Sequence, residues 1–352
     1  MCVPEKHVIN PLVKPNKRLN KLSNVRTFVL LLLSVLFSTL CSAQLIVNKP
    51  KDISAGQLTF NPTLIKQNKI KSILMVIVDK PDGEVIVDKG NTQGYEFDTL
   101  GNVTRYYYTI FSLAQTEEKE VPALVRHGRV IRPAGTRTVT RYVNDTIFVN
   151  LYHDNQNRII SKRIQSGDYY DTYYYEYNAD GRLSKELHCK ETNVSENKKE
   201  FKLGVQNVLS SETFEYAVQT PTQIKKSCLN DEGRVYKKAI INYDDRGNKL
   251  SENYEFIVSW MREESSYKYD DKNRLIEKTF TSNANGIVKT ESYYEYSPNG
   301  ALIGEKKIKQ DVVTDEINIL YDPAFNLPQS EANRDHQNAS IGIVKFGYNF
   351  YN

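Results

Sequence analysis

The chain has 352 residues with 47 Lys+Arg against 43 Asp+Glu, a formal net charge of +4, and 24 Tyr beside 13 Phe and one Trp. Six of the cations (Lys6, Lys14, Lys17, Arg18, Lys21, Arg26) and one acid, Glu5, fall in residues 1–43, so residues 44–352 are almost neutral, with a net of −1. A neutral body with both signs interspersed excludes an electrostatic nucleic-acid binder.

Residues 1–43 have the layout of a signal peptide. A basic stretch ends at Arg26, an uncharged apolar run spans 27–40, and Cys41-Ser42-Ala43 sets small side chains before a cut at Gln44. The apolar run is shorter than the roughly 20 residues of a bilayer-spanning helix, so the membrane is met only through the leader, before cleavage. An uncleaved anchor is the alternative; Leu40, bulky just ahead of Cys41, speaks against a lipoprotein. The exported chain is expected in the periplasm, at the cell surface or outside the cell.

Residues 44–94 read as an N-terminal β region, with a short helix near 62–69 before an apolar strand at 73–78. A polar excursion is expected at 112–122. Residues 331–352 read as a polar tail, loose over 328–340, and a closing strand whose alternation runs Val344, Phe346, Tyr348, Phe350.

Between them, over 95–330, the tyrosines hide a repeat. The clearest copies are Tyr177-Asn-Ala-Asp-Gly181-Arg182-Leu183, Tyr269-Asp-Asp-Lys-Asn273-Arg274-Leu275 and Tyr296-Ser-Pro-Asn-Gly300-Ala301-Leu302. Looser copies begin at Phe97, His153, Leu229, Tyr243 and Tyr321, and two weak ones at Leu124 and Leu203. The starts step by about 26 residues, with a single step of 14 between Leu229 and Tyr243. Asp, Asn or Ser at the first turn position bonds forward to backbone amides, and Gly or Asn three residues on accepts a positive φ, which closes a β-hairpin. Asp98, Gly101, Gly181, Gly233, Gly247, Asn273 and Gly300 are the expected turn residues. The last copy departs from the template with Phe325 at the Gly position, and the Tyr243 copy departs with Lys249 at the aliphatic one.

The expected fold is all-β, an antiparallel array of hairpins forming a long twisted or curling sheet. The 14-residue step places the turns at Asn230 and Asp244 at opposite ends of one strand, with copies up to 229 along one edge and copies from 243 along the other. Cys189 and Cys228 would then lie about three strands, or roughly 14 Å, apart. That is too far for a disulfide, which needs Cα atoms within about 7 Å, so free thiols are expected.

The Tyr-Asp-x-x-Gly-Arg-Leu copies resemble the YD repeats of the Rhs family. The resemblance implies hairpins joined into curling sheets in exported or surface proteins, shells around toxins in large relatives, and carbohydrate binding proposed for others. It supplies no catalytic residue.

Chemistry on the residues themselves is sparse. His127 and His153 occupy repeat positions, His188 adjoins Cys189 without ligand spacing, and no His-Glu-x-x-His or paired Cys-x-x-Cys occurs, so no metal or cofactor is expected. Two Ser-x-x-Lys matches, at Ser195 and Ser265, lack their companion motifs. Glu96, Glu176, Glu215, Glu255 and Glu295 recur between aromatics, the pattern of a ladder facing cations on neighbouring strands rather than the unique pair a glycosidase needs. The reading is a non-enzymatic scaffold or binding protein of the envelope, contacting polysaccharide or a surface protein. Tyr169, Tyr170, Tyr173, Tyr175, Tyr293, Tyr294 and Trp260 are its candidate ligand contacts. A glycoside hydrolase, a fragment of a toxin shell and an outer-membrane barrel are the rivals, the last opposed by charges such as those in Gly304-Glu-Lys-Lys-Ile-Lys.

Overall fold

The computed structural model describes residues 44–50, 52–197 and 200–352, so the expected leader lies outside the described residues. Helix α1 (Pro62–Gln67) starts where Asn61 accepts from the Thr63 amide at 3.1 Å, with Pro62 in the first turn. It feeds β1 (Ile70–Pro81), which contains the expected apolar strand. β2 (Val87–Phe97) and β3 (Val103–Val121) follow, then a small separate pair, β4 (Leu124–Arg126) and β5 (Arg129–Arg132). The main sheet resumes with β6 (Gly135–His153), β7 (Ile159–Ser166), β8 (Tyr169–Tyr177), β9 (Leu183–Asn193) and β10 (Leu203–Thr220). β11 (Gln223–Leu229), β12 (Val235–Tyr243), β13 (Lys249–Phe256), β14 (Arg262–Tyr269) and β15 (Leu275–Ser282) continue it. β16 (Val288–Tyr296), β17 (Leu302–Lys309), β18 (Val312–Tyr321), β19 (Pro328–Asp335) and β20 (Ser340–Phe350) complete it.

Each strand pairs antiparallel with the next, and β20 returns to pair with β1 from Ile70↔Phe350 to Pro81↔Ser340. The 18 strands therefore close into an up-and-down barrel. The hairpin array is as expected, but an open twisted or curling sheet is not what forms. Closure satisfies the two rows of backbone groups that an open sheet of this length would leave unpaired. Two polar segments expected to be irregular are strands: 112–121 lies in β3, and most of 328–340 lies in β19.

The chain reversals after β2, β6, β8, β12, β14, β16 and β18 carry the repeat turns, and all share one rim of the barrel. The reversals after β1, β3, β7, β9, β11, β13, β15, β17 and β19 form the opposite rim. Asn230 and Asp244 do cap opposite ends of β12, as the 14-residue step predicts. The division of copies between two edges is wrong, however: only the 229 copy turns at the opposite rim. The cause is β10, a long, bulged strand that reverses through Pro221-Thr222 without the repeat signature. The two weak copies are not turns of the array, since the one at Leu124 forms the β4–β5 hairpin and the one at Leu203 lies within β10.

Turn chemistry is as the template requires. Asp154 Oδ1 accepts from the amides of Gln156 and Arg158, and Asp244 Oδ1 from those of Arg246 and Asn248, each at 2.8–2.9 Å. Gly101, Asn157, Gly181, Gly233, Gly247, Asn273 and Gly300 all take positive φ. In the last copy Asn326, one residue beyond Phe325, takes φ 53 and lengthens the turn.

Residues 44–50 and 52–61 run inside the barrel as a plug. Leu58 donates its amide to the Tyr95 hydroxyl on β2, the Ser54 carbonyl accepts from Lys162 on β7, and Asp52 pairs with Lys249 on β13. A segment that touches such separated strands can only cross the lumen. Leu45, Ile46 and Phe60 of the plug, with Ile65 of α1, form one buried cluster with Ile73, Met75, Tyr95, Tyr106, Val149 and Leu302 of the wall. The inward residues alternate with an outer wall that carries ion pairs such as Lys268–Glu277 and Lys306–Glu316. β3 and β6 pair with each other from Arg105↔Asn150 to Val121↔Gly135, but β2 covers β3 only to Tyr108, and β7 covers β6 only from Val149 on. Thr109 and Asn144 still bond to Thr92 and Lys89 of β2, and past Phe111 and Asn144 the two strands leave the wall as an arm at the rim opposite the repeat turns.

Candidate functional site

At the repeat rim one side-chain arrangement recurs around the barrel. Tyr177 Oη donates to the Ile159 carbonyl (2.7 Å), Tyr216 to Leu183 (2.9 Å), Tyr269 to Lys249 (3.0 Å), Tyr296 to Leu275 (2.6 Å), Tyr321 to Leu302 (2.8 Å) and Tyr348 to Pro328 (2.6 Å). In each case the ladder stops two residues inside the acceptor and three inside the tyrosine, as at Ser161↔Tyr174 and Glu277↔Tyr293. The phenol thus takes over the carbonyl that the diverging strands leave unpaired. The turn arginine completes the unit. Arg158 and Arg274 each donate Nε to their own turn aspartate, Asp154 and Asp270, at 2.7 Å and stand 4.5 Å over the rings of Tyr177 and Tyr296.

Between this ring of tyrosines and the plug opens a cavity of about 490 Å³. Lys49, Pro50, Asp52 and Ile53 of the plug form one side, and Tyr177, Tyr243 and Tyr269 present rings from the other. Asn157, Arg158, Asn248 and Lys249 add polar groups. Lys249 bridges Asp52 at 3.3 Å and Glu252 at 2.9 Å. Burial works against its ammonium, but the two carboxylates outweigh it and hold its pKa above the ordinary lysine range. Burial pushes the Tyr177 and Tyr269 phenols up to about 12, so both stay neutral donors at any physiological pH. Such a cavity can stack a ring face and bond to its hydroxyls. Its lining holds a single carboxylate, Asp52, already paired with a cation, so it does not supply the two-acid arrangement of a glycosidase.

The sequence-chosen aromatics do not gather into one site. Tyr173 and Tyr175 face the lumen, Tyr173 stacked on His188 at 4.3 Å. Tyr294 faces the plug across a second, smaller cavity. Tyr169 carries the Lys190 ammonium over its ring at 3.5 Å. Tyr170 packs edge-on to Phe201 on the outer wall, Tyr293 is on that wall too, and Trp260 is 78% exposed on the β13–β14 loop. The cavity's own Tyr243 and Lys249 were visible in the sequence only as a repeat start and a departure from the template, and Asp52 gave no signal.

Of the glutamate ladder, Glu96 meets Arg105 at 3.6 Å and Glu255 meets Arg262 at 3.3 Å, and Glu176 stands opposite Lys185. Glu215 and Glu295 face Ser227 and Gly304 instead. Among the described residues a different carboxylate is the most enclosed. Glu191 on β9, fully buried on the outer wall beneath Phe201, accepts from Arg163 Nε (2.8 Å), Thr172 Oγ1 (2.8 Å), Gln206 Nε2 (2.7 Å) and the Tyr174 hydroxyl. Among the described residues no group of three or more His, Cys, Asp or Glu is arranged to hold a metal.

No family model and no curated protein matches the chain. Among solved structures it is similar to a porin-like protein from Bacteroides uniformis, at 9% identity over 80% of this chain and 98% of that one, with a TM-score of 0.34. A porin-like protein from Bacteroides vulgatus gives 9% identity over the same shares and a TM-score of 0.31. A Photorhabdus luminescens Tc holotoxin pore gives 12% identity over 72% of this chain and 16% of that one, with a TM-score of 0.15. None of these likenesses is strong enough to carry a functional argument.

Proposed function

We propose that this protein is an exported, non-enzymatic binding protein of the cell envelope that takes a segment of polysaccharide into the cavity at its repeat rim. One observation carries the reading: three tyrosine rings and a set of fixed amide, guanidinium and carboxylate groups converge on an open space of about 490 Å³, within the usual size of ligand sites. The rings of Tyr177 and Tyr269 are pinned by their hydroxyls, so little entropy is lost when a sugar face settles on them. Kinship with the YD repeats is part of the same proposal, supported by the roles of tyrosine, aspartate and arginine in turns such as those at Asp154 and Asp270.

The outer wall supports a water-exposed barrel over a membrane-embedded one. Ion pairs such as Lys268–Glu277 (2.8 Å) and Lys306–Glu316 (3.5 Å) interrupt the continuous apolar band that lipid would require. The plug likewise occupies lumen that a toxin shell would keep for cargo.

Titration calorimetry against a panel of envelope polysaccharides tests the reading. Binding to at least one is expected, weakened at least tenfold in Tyr243→Ala, with no new reducing ends after prolonged incubation. Absence of heat with every glycan would remove the glycan reading, and release of reducing ends would replace it with an enzyme.

A further inference from the structure

A two-stranded ribbon with both edges uncovered is marginal in water, and the arm formed by β3 and β6 is one. From Ser112 to Val121, past the last bonds to β2, it projects on the order of 30 Å, at about 3.4 Å per residue. Its tip is the β4–β5 hairpin, closed by His127 (φ 52) and Gly128 (φ 74), the two positive φ values of the turn that best fits strand twist. Leu124, Val125, Val130 and Ile131 there are 50–62% exposed, with Val125 directly opposite Val130. Charge is segregated as well. Between Glu120 and Asp145 the chain has no acid, while Arg126, Arg129, Arg132, Arg137 and Arg141 all fall in that stretch.

We propose that the tip of the arm docks into the headgroup layer of an anionic phospholipid bilayer. The apolar residues stand at a projecting end rather than in a groove or on a flat patch. A rigid protein surface would cover one face of such a hairpin, whereas a yielding lipid layer buries all four side chains together. Arg126, Arg129 and Arg132 flank them where lipid phosphates would lie, the arrangement by which an interfacial element combines apolar insertion with charge attraction. The arm leaves the rim opposite the sugar cavity, so this docking is independent of glycan binding.

Residues 44–352 form a compact unit by themselves, and this unit is the species to test. It is expected to sediment with vesicles containing phosphatidylglycerol and not with pure phosphatidylcholine. At about fivefold in partitioning per cation, Arg126→Ala with Arg129→Ala should weaken sedimentation on the order of 25-fold. Val125→Asp with Val130→Asp should abolish it. Both pairs of changes lie on the arm, so far-UV circular dichroism and the melting curve of the barrel should not move. Val130→Trp in a Trp260→Phe background should shift its emission to the blue on adding anionic vesicles. Failure of the unaltered protein to bind anionic vesicles, binding retained by both double variants, or an unshifted emission would each overturn the proposal. So would a preference for immobilised poly-glutamate over vesicles, which would point to an acidic protein partner.

Discussion

The hydroxyl of Tyr177 donates to the carbonyl of Ile159 at 2.7 Å, across the point where β7 and β8 part at the repeat rim, and five other tyrosines repeat the contact around the barrel. Replacing one of them, for example Tyr321→Phe, keeps the ring and removes the bond to the Leu302 carbonyl. The expected cost is about 1 kcal/mol, a fall of about 1–2 °C in midpoint. Urea unfolding of single Phe variants at Tyr177, Tyr296 and Tyr321 checks this. If all three are neutral, the clasp contributes nothing to stability.

Gly101 and Gly233 are both repeat glycines at positive φ, yet they should respond differently to alanine. A Cβ on Gly101 would fall 2.1 Å from the Pro62 carbonyl oxygen, at the start of α1, whereas one on Gly233 meets nothing within 4 Å. Gly233→Ala should cost only the left-handed backbone penalty, about 1 kcal/mol. Gly101→Ala adds overpacking against backbone and should reach roughly 3 kcal/mol. Equal costs in denaturant titrations would show that the contact between α1 and the β2–β3 turn yields without effort.

Two glutamates should give stability opposite dependences on pH. Burial tends to raise the Glu191 carboxyl, but the bonds from Tyr174, Arg163, Thr172 and Gln206 prevail and hold it below its ordinary range. Its contribution is therefore complete above the unfolded pKa, about 4.3, and is lost as pH falls through the lower folded value. Glu331, on the lumen side of β19, is raised by burial and by the nearby Glu305 carboxylate. In this case stability is lost as pH rises from the unfolded pKa through the higher folded one. Glu331→Gln should raise the melting midpoint at pH 7 by about 1–2 °C, equivalent to about 1 kcal/mol, and the gain should vanish near pH 4. Glu191→Ala should cost about 3–5 kcal/mol at pH 7 by leaving the Arg163 charge buried and unpaired. Calorimetry of both variants at the two pH values decides it, and a Glu331→Gln protein no more stable than its parent at pH 7 would contradict the burial argument.

Cys189 and Cys228 should remain thiols even in an oxidising medium. They sit on β9 and β11, with β10 between them, so they are closer than the three strands expected. Cys189 is paired in register with Val208 on the outer wall, and Cys228 with Phe214 on the lumen side. Both are fully buried, and burial raises the Cys228 thiol to about 11. Thiol titration should find no reactive group in the native state within minutes and two in denaturant. A mass 2 Da lower without reductant would show that they had paired.

Most of the wall was legible because each feature of it is local. An aspartate, a glycine or asparagine and an arginine within five residues specify a turn, and the tyrosine of the next copy, about 20 residues on, supplies the clasp and the ring beneath the arginine. Closure was not legible. It depends on Phe350 finding Ile70, which no periodicity encodes. The rim cavity stayed hidden for a related reason: Asp52 belongs to a segment without pattern, and it meets Lys249 only because the plug threads the lumen. The arm was misread as a polar excursion because Glu117, Glu118, Lys119 and Glu120 break the apolar alternation, although strand pairing there needs no buried face.

Pairing between β1 and β20 also sets a schedule for assembly. The strand that completes the register of β1 is the last of the sheet to be synthesised. Hairpins from β6 to β19 can form as they emerge, each from neighbours in sequence, while β1 waits for a partner more than 250 residues away. Folding should therefore show many fast local steps and one slow final one, and the unfinished protein is exposed to aggregation for as long as that last step takes.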